Sequence, residues 1–116
     1  MNEIVLVEKK ISISDLKEIA GKRYGDMVKV VVDIDKKIMA IGGEMHADEE
    51  EFLLEKGSVQ DNLWGINIYV DLDRDLWIEY DSVINIRPRQ NNRSRNIEDD
   101  NVKSKITNIV NGLIYE

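Results

Sequence analysis

The sequence predicts an α+β domain: a mainly antiparallel sheet of about five strands with three helices, in the order β-α-β-β-α-β-β-α, the helices mostly on one face. Three observations carry this. Several short stretches alternate apolar and polar residues at period two, the mark of half-buried strands. Other stretches repeat apolar residues at helical spacing between N-cap and glycine signals. Short polar turns join neighbouring strands, which makes the pairs antiparallel.

Taken in order, Ile4 to Val7 reads as a first strand. Ser14 suits the N-cap of a helix reaching about Arg23, with Leu16, Ile19, Ala20 and Tyr24 on one face and Gly25 at its end. Met27 to Ile34 is the clearest strand, with Val28, Val30, Val32 and Ile34 on one face. A turn at Asp35-Lys36-Lys37 leads into Ile38 to Ile41, and a three-residue loop would set Val32 opposite Ala40. That turn has no glycine for its left-handed position. Asp48 to about Lys56 is a short helix, with Asp48 and Glu51 as a capping box and Ala47 and Phe52 as a hydrophobic staple. Leu63 to Val70 is a strand. Leu76 to Ile86 keeps one alternation phase and reads as a single long strand, because a hairpin at Asp81-Ser82 would mix its faces. A helix from about Asp100 to Leu113 carries the stripe Val102, Ile106, Ile109, Val110 and Leu113.

Composition narrows the function classes. A chain of 116 residues fits one domain, residues 1–116, and 42% apolar content supports a packed core. The net charge of −7 repels nucleic acid as a whole, so nucleic acid is not the expected partner. The absence of cysteine removes disulfides and thiolate zinc sites. No basic leader and no membrane-length apolar run is present, so the expectation is a cytoplasmic protein without a membrane partner.

Pairing Val70 with Leu76 across the Asp71–Asp75 turn sets Tyr69 opposite Trp77 and Asn67 opposite Glu79. The polar face then carries Asn67, Tyr69, Trp77, Glu79, Asp81, Asn85 and Arg87, either a ligand platform or a solvated surface.

Two constellations carry chemistry. The run Arg87-Pro88-Arg89-Gln90-Asn91-Asn92-Arg93-Ser94-Arg95 holds four of the six arginines, with no acid between Asn85 and Ile97. The planar guanidinium binds phosphate or carboxylate through two parallel bonds, and internal pairing with Glu98, Asp99 and Asp100 is the competing use. The second is Gly42-Gly43-Glu44-Met45-His46, where two glycines let the backbone approach a ligand. His46 is the one histidine, the side-chain type whose ordinary pKa lies near neutrality. Glu44, His46 and Asp48 do not amount to a metal site, so none is assigned. No Walker loop, dinucleotide fingerprint or nucleophile elbow occurs, and the cofactor is unknown.

Gly42-Gly43-Glu44-Met45-His46-Ala47-Asp48-Glu49-Glu50, Trp64-Gly65-Ile66-Asn67 and Asp81-Ser82-Val83-Ile84-Asn85-Ile86-Arg87-Pro88-Arg89-Gln90-Asn91-Asn92-Arg93-Ser94-Arg95 together resemble a family of short bacterial and archaeal proteins catalogued only as a domain of unknown function. The resemblance covers nearly the whole chain. It implies a stand-alone prokaryotic protein and supplies no reaction.

Two readings follow. In the first, Arg87, Arg93 and Arg95 hold a small anionic ligand, Asn85 and Asn92 orient it, Gly42 and Gly43 admit it, and His46 or Asp81 moves a proton if the protein is an enzyme. That reading needs the glycine turn and the arginine loop to meet. In the second, the chain is a non-catalytic homo-oligomer that sets its arginine loop against its own acidic surface.

Overall fold

A computed structural model describes residues 3–116. Its centre is a five-stranded antiparallel sheet in the order β1-β4-β3-β5-β6, formed by Val5–Val7, Ile38–Ile41, Met27–Asp33, Leu63–Tyr69 and Ile78–Glu79. The three helices are α1 (Ile13–Gly21), α2 (His46–Glu55) and α3 (Asp100–Leu113). Two further strands, β2 (Ile11–Ser12) and β7 (Ile114–Tyr115), pair in parallel away from the main sheet. No periodicity marks strands so short. Among the described residues no helix is long and apolar enough to cross a membrane.

The larger core lies on the sheet face bearing Val28, Val30, Val32, Ile66 and Ile68. Helix α1 contributes Leu16 and Ala20 to it, and α3 contributes Ile106, Ile109 and Val110. The apolar stripe read in the C-terminal segment is therefore the buried face of α3. Asp99 caps that helix by accepting from the amides of Asn101 and Val102. The opposite face bears Val31, Ala40 and Leu63, covered by Leu53 of α2 and partly by Phe52 and Ile84. Two of the three helices thus share one face, and α2 lies on the other.

Several local expectations are corrected. Ser12, not Ser14, caps α1, its hydroxyl accepting from Asp15 N at 3.0 Å. Helix α2 starts at His46, with Met45 as an N-cap that makes no side-chain bond, so the Asp48–Glu51 capping box does not form. The β3–β4 register is one residue off the expected one: Val32 opposes Met39 and Val31 opposes Ala40. The cause is Asp33, whose carboxylate accepts from the amides of Asp35 and Lys36 at 2.9 Å each. This lengthens the turn by one residue and puts Lys37 in the left-handed region at φ 59.

The largest correction concerns Leu76 to Ile86. Only Ile78–Glu79 is strand, and Val83–Asn85 is a 3-10 turn. The expected register nevertheless holds over β6, with Asn67 opposite Glu79. Before it, Leu76 is exposed and Trp77 swings into the apolar core instead of joining the polar face. Arg74 lies 4.7 Å from the Trp77 ring and donates to Ile114 O, closing the core over the indole. After it, the chain leaves the sheet because the Ser82 hydroxyl accepts from Ile84 N and turns the backbone.

Candidate functional site

The polar side chains gather at one end of the α2-covered face. Gly65 makes this possible. A Cβ there would stand 2.6 Å from Ser82 Cβ and 3.2 Å from His46 Cδ2, so only a bare backbone lets both side chains settle on β5. His46 is buried, and its ring Nε2 lies 2.7 Å from Ile66 O. A carbonyl only accepts, so Nε2 carries the proton and Nδ1 keeps its lone pair. Burial lowers the His46 pKa from 6.5 to about 4, with the Ile66 bond pulling the other way and the charges of Lys29, Asp81 and Arg95 acting on the ring. At neutral pH the imidazole is neutral.

Around it stand residues from four segments. Lys29 of β3 lies opposite Asn67 of β5, which lies opposite Glu79 of β6. Asn67 Nδ2 donates to Glu79 at 2.8 Å, and the Tyr69 hydroxyl donates to the same carboxylate at 3.1 Å. Desolvation first, then the Glu79 bond, raises the Tyr69 pKa. Asp81 follows β6 and accepts from Arg95 Nε at 2.6 Å.

The glycine turn serves a residue that its own motif does not announce. Gly42 has φ +87, a conformation other residues adopt with strain. Gly43 N donates at 2.8 Å to Oε2 of Glu49, which is fully buried in α2. A Cβ on Gly43 would sit 2.9 Å from Glu49 Cγ. Burial raises the Glu49 pKa well above its ordinary value, and its Oε1 finds no partner. Glu49 was legible only through helical spacing: His46, Glu49 and Leu53 form one buried stripe.

The arginine-rich segment is ordered by its asparagines. Asn92 Nδ2 donates to the carbonyls of Asn85, Ser94 and Asn96, and its Oδ1 accepts from Glu98 N at 2.8 Å. Asn85 grips β5 by accepting from Gly65 N and donating to Gly65 O, and it donates to Arg95 O as well. Both are buried. Arg87 is buried too, 4.1 Å from the Trp64 ring, and donates to the carbonyls of Gln60 and Leu63. Expected as ligand contacts, these three side chains are turned inward onto backbone. Arg89 pairs with Asp61, and Arg95 with Asp81, in exposed ion pairs. The Arg93 side chain makes no ion pair among the described residues, where no group of three or more His, Asp or Glu is placed to hold a metal ion.

Residues 5–113 match the profile of a family described as a protein of unknown function (DUF5674). The chain belongs to that family. No curated protein and no solved structure matches it. In this DUF5674 member the three motif segments are one assembly: the glycine turn holds Glu49 and leads into His46, Gly65 and Ile66 receive His46, and the arginine loop is pinned to Gly65 through Asn85.

Proposed function

We propose that the polar end of the sheet beside the α2 N-terminus binds a small anionic ligand bearing a phosphate or carboxylate group. Arg95 and Lys29 supply the positive charge, and neutral His46 presents Nδ1 as an acceptor for a ligand hydroxyl. Binding is proposed, and no reaction is assigned. One observation supports this above the others: Asn85 bonds both Arg95 O and the backbone of Gly65, against which His46 packs, so residues from distant segments are tied to one point of β5. The Arg95–Asp81 pair is exposed, so an anion competes with Asp81 for the guanidinium at little cost.

Melting curves with and without sulfate, at matched ionic strength, test the reading. Wild type melts higher in sulfate, and Arg95→Ala loses most of that gain. Arg95→Lys recovers it poorly, because an ammonium lacks the planar fork. Arg89→Ala, removed from this site and paired with Asp61, responds as wild type does. Equal sulfate effects in wild type and Arg95→Ala end the proposal.

A further inference from the structure

A cavity of about 660 Å³ lies between the C-terminal half of α3 and the turn that joins β3 to β4. Ile34, Ile109 and Leu113 give it an apolar floor that belongs to the larger core. Lys37, Lys105 and one acid, Asp35, form its charged wall. That local excess of positive charge runs against the net charge of −7. Neither lysine makes an ion pair among the described residues.

Two residues of the wall are not the ones their backbone positions favour. Lys37 lies in the left-handed region at φ 59, where glycine or asparagine is the ordinary occupant. The turn holds it there. Lys37 N donates to Asp33 O at 2.9 Å, and the buried Asp33 carboxylate accepts from the Ser58 hydroxyl at 2.7 Å as well as from the two turn amides. Gly112 presents the reverse anomaly. It lies within α3, where glycine destabilises a helix relative to alanine. A Cβ built there meets nothing within 4 Å, so no neighbour in the chain excludes a side chain. Lys105, Asn108, Ile109 and Gly112 fall at i, i+3, i+4 and i+7 of the helix, and all line the cavity. A side chain at position 112 would therefore project into the same space. A lysine stands where the backbone favours glycine, and a glycine stands where the helix favours a side chain. What the two share is the cavity, to which one adds a cation and in which the other leaves room.

We infer that this cavity binds a small amphipathic carboxylate, an acid group on a compact apolar body. The carboxylate faces Lys37 and Lys105 in charge-assisted bonds. The body lies on Ile34, Ile109 and Leu113 and reaches the α3 backbone at Gly112. The volume falls within the range of small-molecule pockets. None of these residues belongs to the anion site proposed above, and neither reading depends on the other.

Amide spectra of isotopically labelled protein, titrated with octanoate, give the test. The expected result is a saturable shift of the Ile109 and Gly112 amide resonances. Acetate, which lacks the apolar body, and octylammonium, which reverses the charge, leave both in place at equal ionic strength. Gly112→Leu melts at or above the wild-type temperature, because its side chain meets open space and leucine is the better helix former. Read at Ile109, it nevertheless binds octanoate at least tenfold more weakly. Lys37→Gly suits the left-handed turn and also weakens binding about tenfold. Arg95→Ala binds octanoate as wild type does, which separates this site from the anion site. Unmoved Ile109 and Gly112 resonances, an equal response to acetate or octylammonium, loss of binding in Arg95→Ala, or undiminished binding to Gly112→Leu or Lys37→Gly overturns the inference.

Discussion

Val30 and Val31 are adjacent in β3 and both fully buried, but they look onto different interiors. Val30 meets the larger apolar core, to which α1 and α3 contribute. Val31 meets a core of four residues, itself with Ala40, Leu53 and Leu63. Around that small patch the same face buries His46, Glu49, Asn67 and Asn85. The first face is held by area removed from water, which has no direction. The second is held by oriented hydrogen bonds, which do, and an unmet group there costs more than a met one returns.

The comparison predicts its largest mutational effect on the dry face. Ile106 is fully buried on α3, and Ile106→Ala should cost about 2–5 kcal/mol in denaturant unfolding, through lost transfer energy and the cavity left behind. A change below about 0.5 kcal/mol would mean that α3 is not the lid of that core.

The polar face should announce itself through pH. His46 has a folded pKa of about 4 against 6.5 unfolded. Between those values the unfolded chain holds a proton that the native ring refuses. Stability from this group is therefore full above about pH 6.5 and drains away as the pH falls toward about 4, on the order of 3 kcal/mol in all. Glu49 acts in the opposite sense. Its raised folded value makes its contribution greatest below 4.5 and lost as the pH rises. Comparing wild type with His46→Gln at about pH 7 and about pH 4.5 separates the two, since the variant keeps the Glu49 slope and loses the other. Parallel pH curves would show that His46 titrates in the folded protein as it does unfolded.

The two faces were unequally legible. Helix α3 announced its stripe through helical spacing, and β3 announced Val28, Val30 and Val32 through alternation, because apolar burial leaves a period in the sequence. The Asn67–Glu79 pairing was also readable from turn length. Leu76 to Ile86 misled for a physical reason: alternation records which residues are apolar, and says nothing of a serine hydroxyl that ends a strand by taking Ile84 N. Asn85, Asn92 and Arg87 were visible as polar residues in a charged loop, but side chains that bond backbone carbonyls leave no periodic trace. Their inward direction appears only when the partner carbonyls are in place.

A sharper probe of the crowded polar face is Gly65. Its Cα hydrogen faces Ser82 and His46 with no space to spare, so Gly65→Ala should cost about 1–3 kcal/mol by overpacking. The double variant with Ser82→Gly should recover part of that loss, because the nearest clash is with Ser82 Cβ. Additive losses in the pair would place the strain elsewhere on β5.

The smallest effect belongs at the loop's outer surface, where charge is plentiful and burial is not. Arg95 and Asp81 are 2.6 Å apart, but their side chains are 56% and 41% exposed. Water and salt screen such a pair, and two long side chains lose freedom to form it. Arg95→Ala should therefore cost about 1 kcal/mol or less. A double-mutant cycle with Asp81→Ala should give a coupling of similar size that shrinks as salt is added. The loop should keep its shape, because Asn92 and Asn85 hold its backbone and Arg87 anchors its start from inside. A loss approaching that of Ile106→Ala would break the comparison. The outer arginines would then be part of what folds the protein, and a ligand would no longer be needed to account for their presence in an acidic chain.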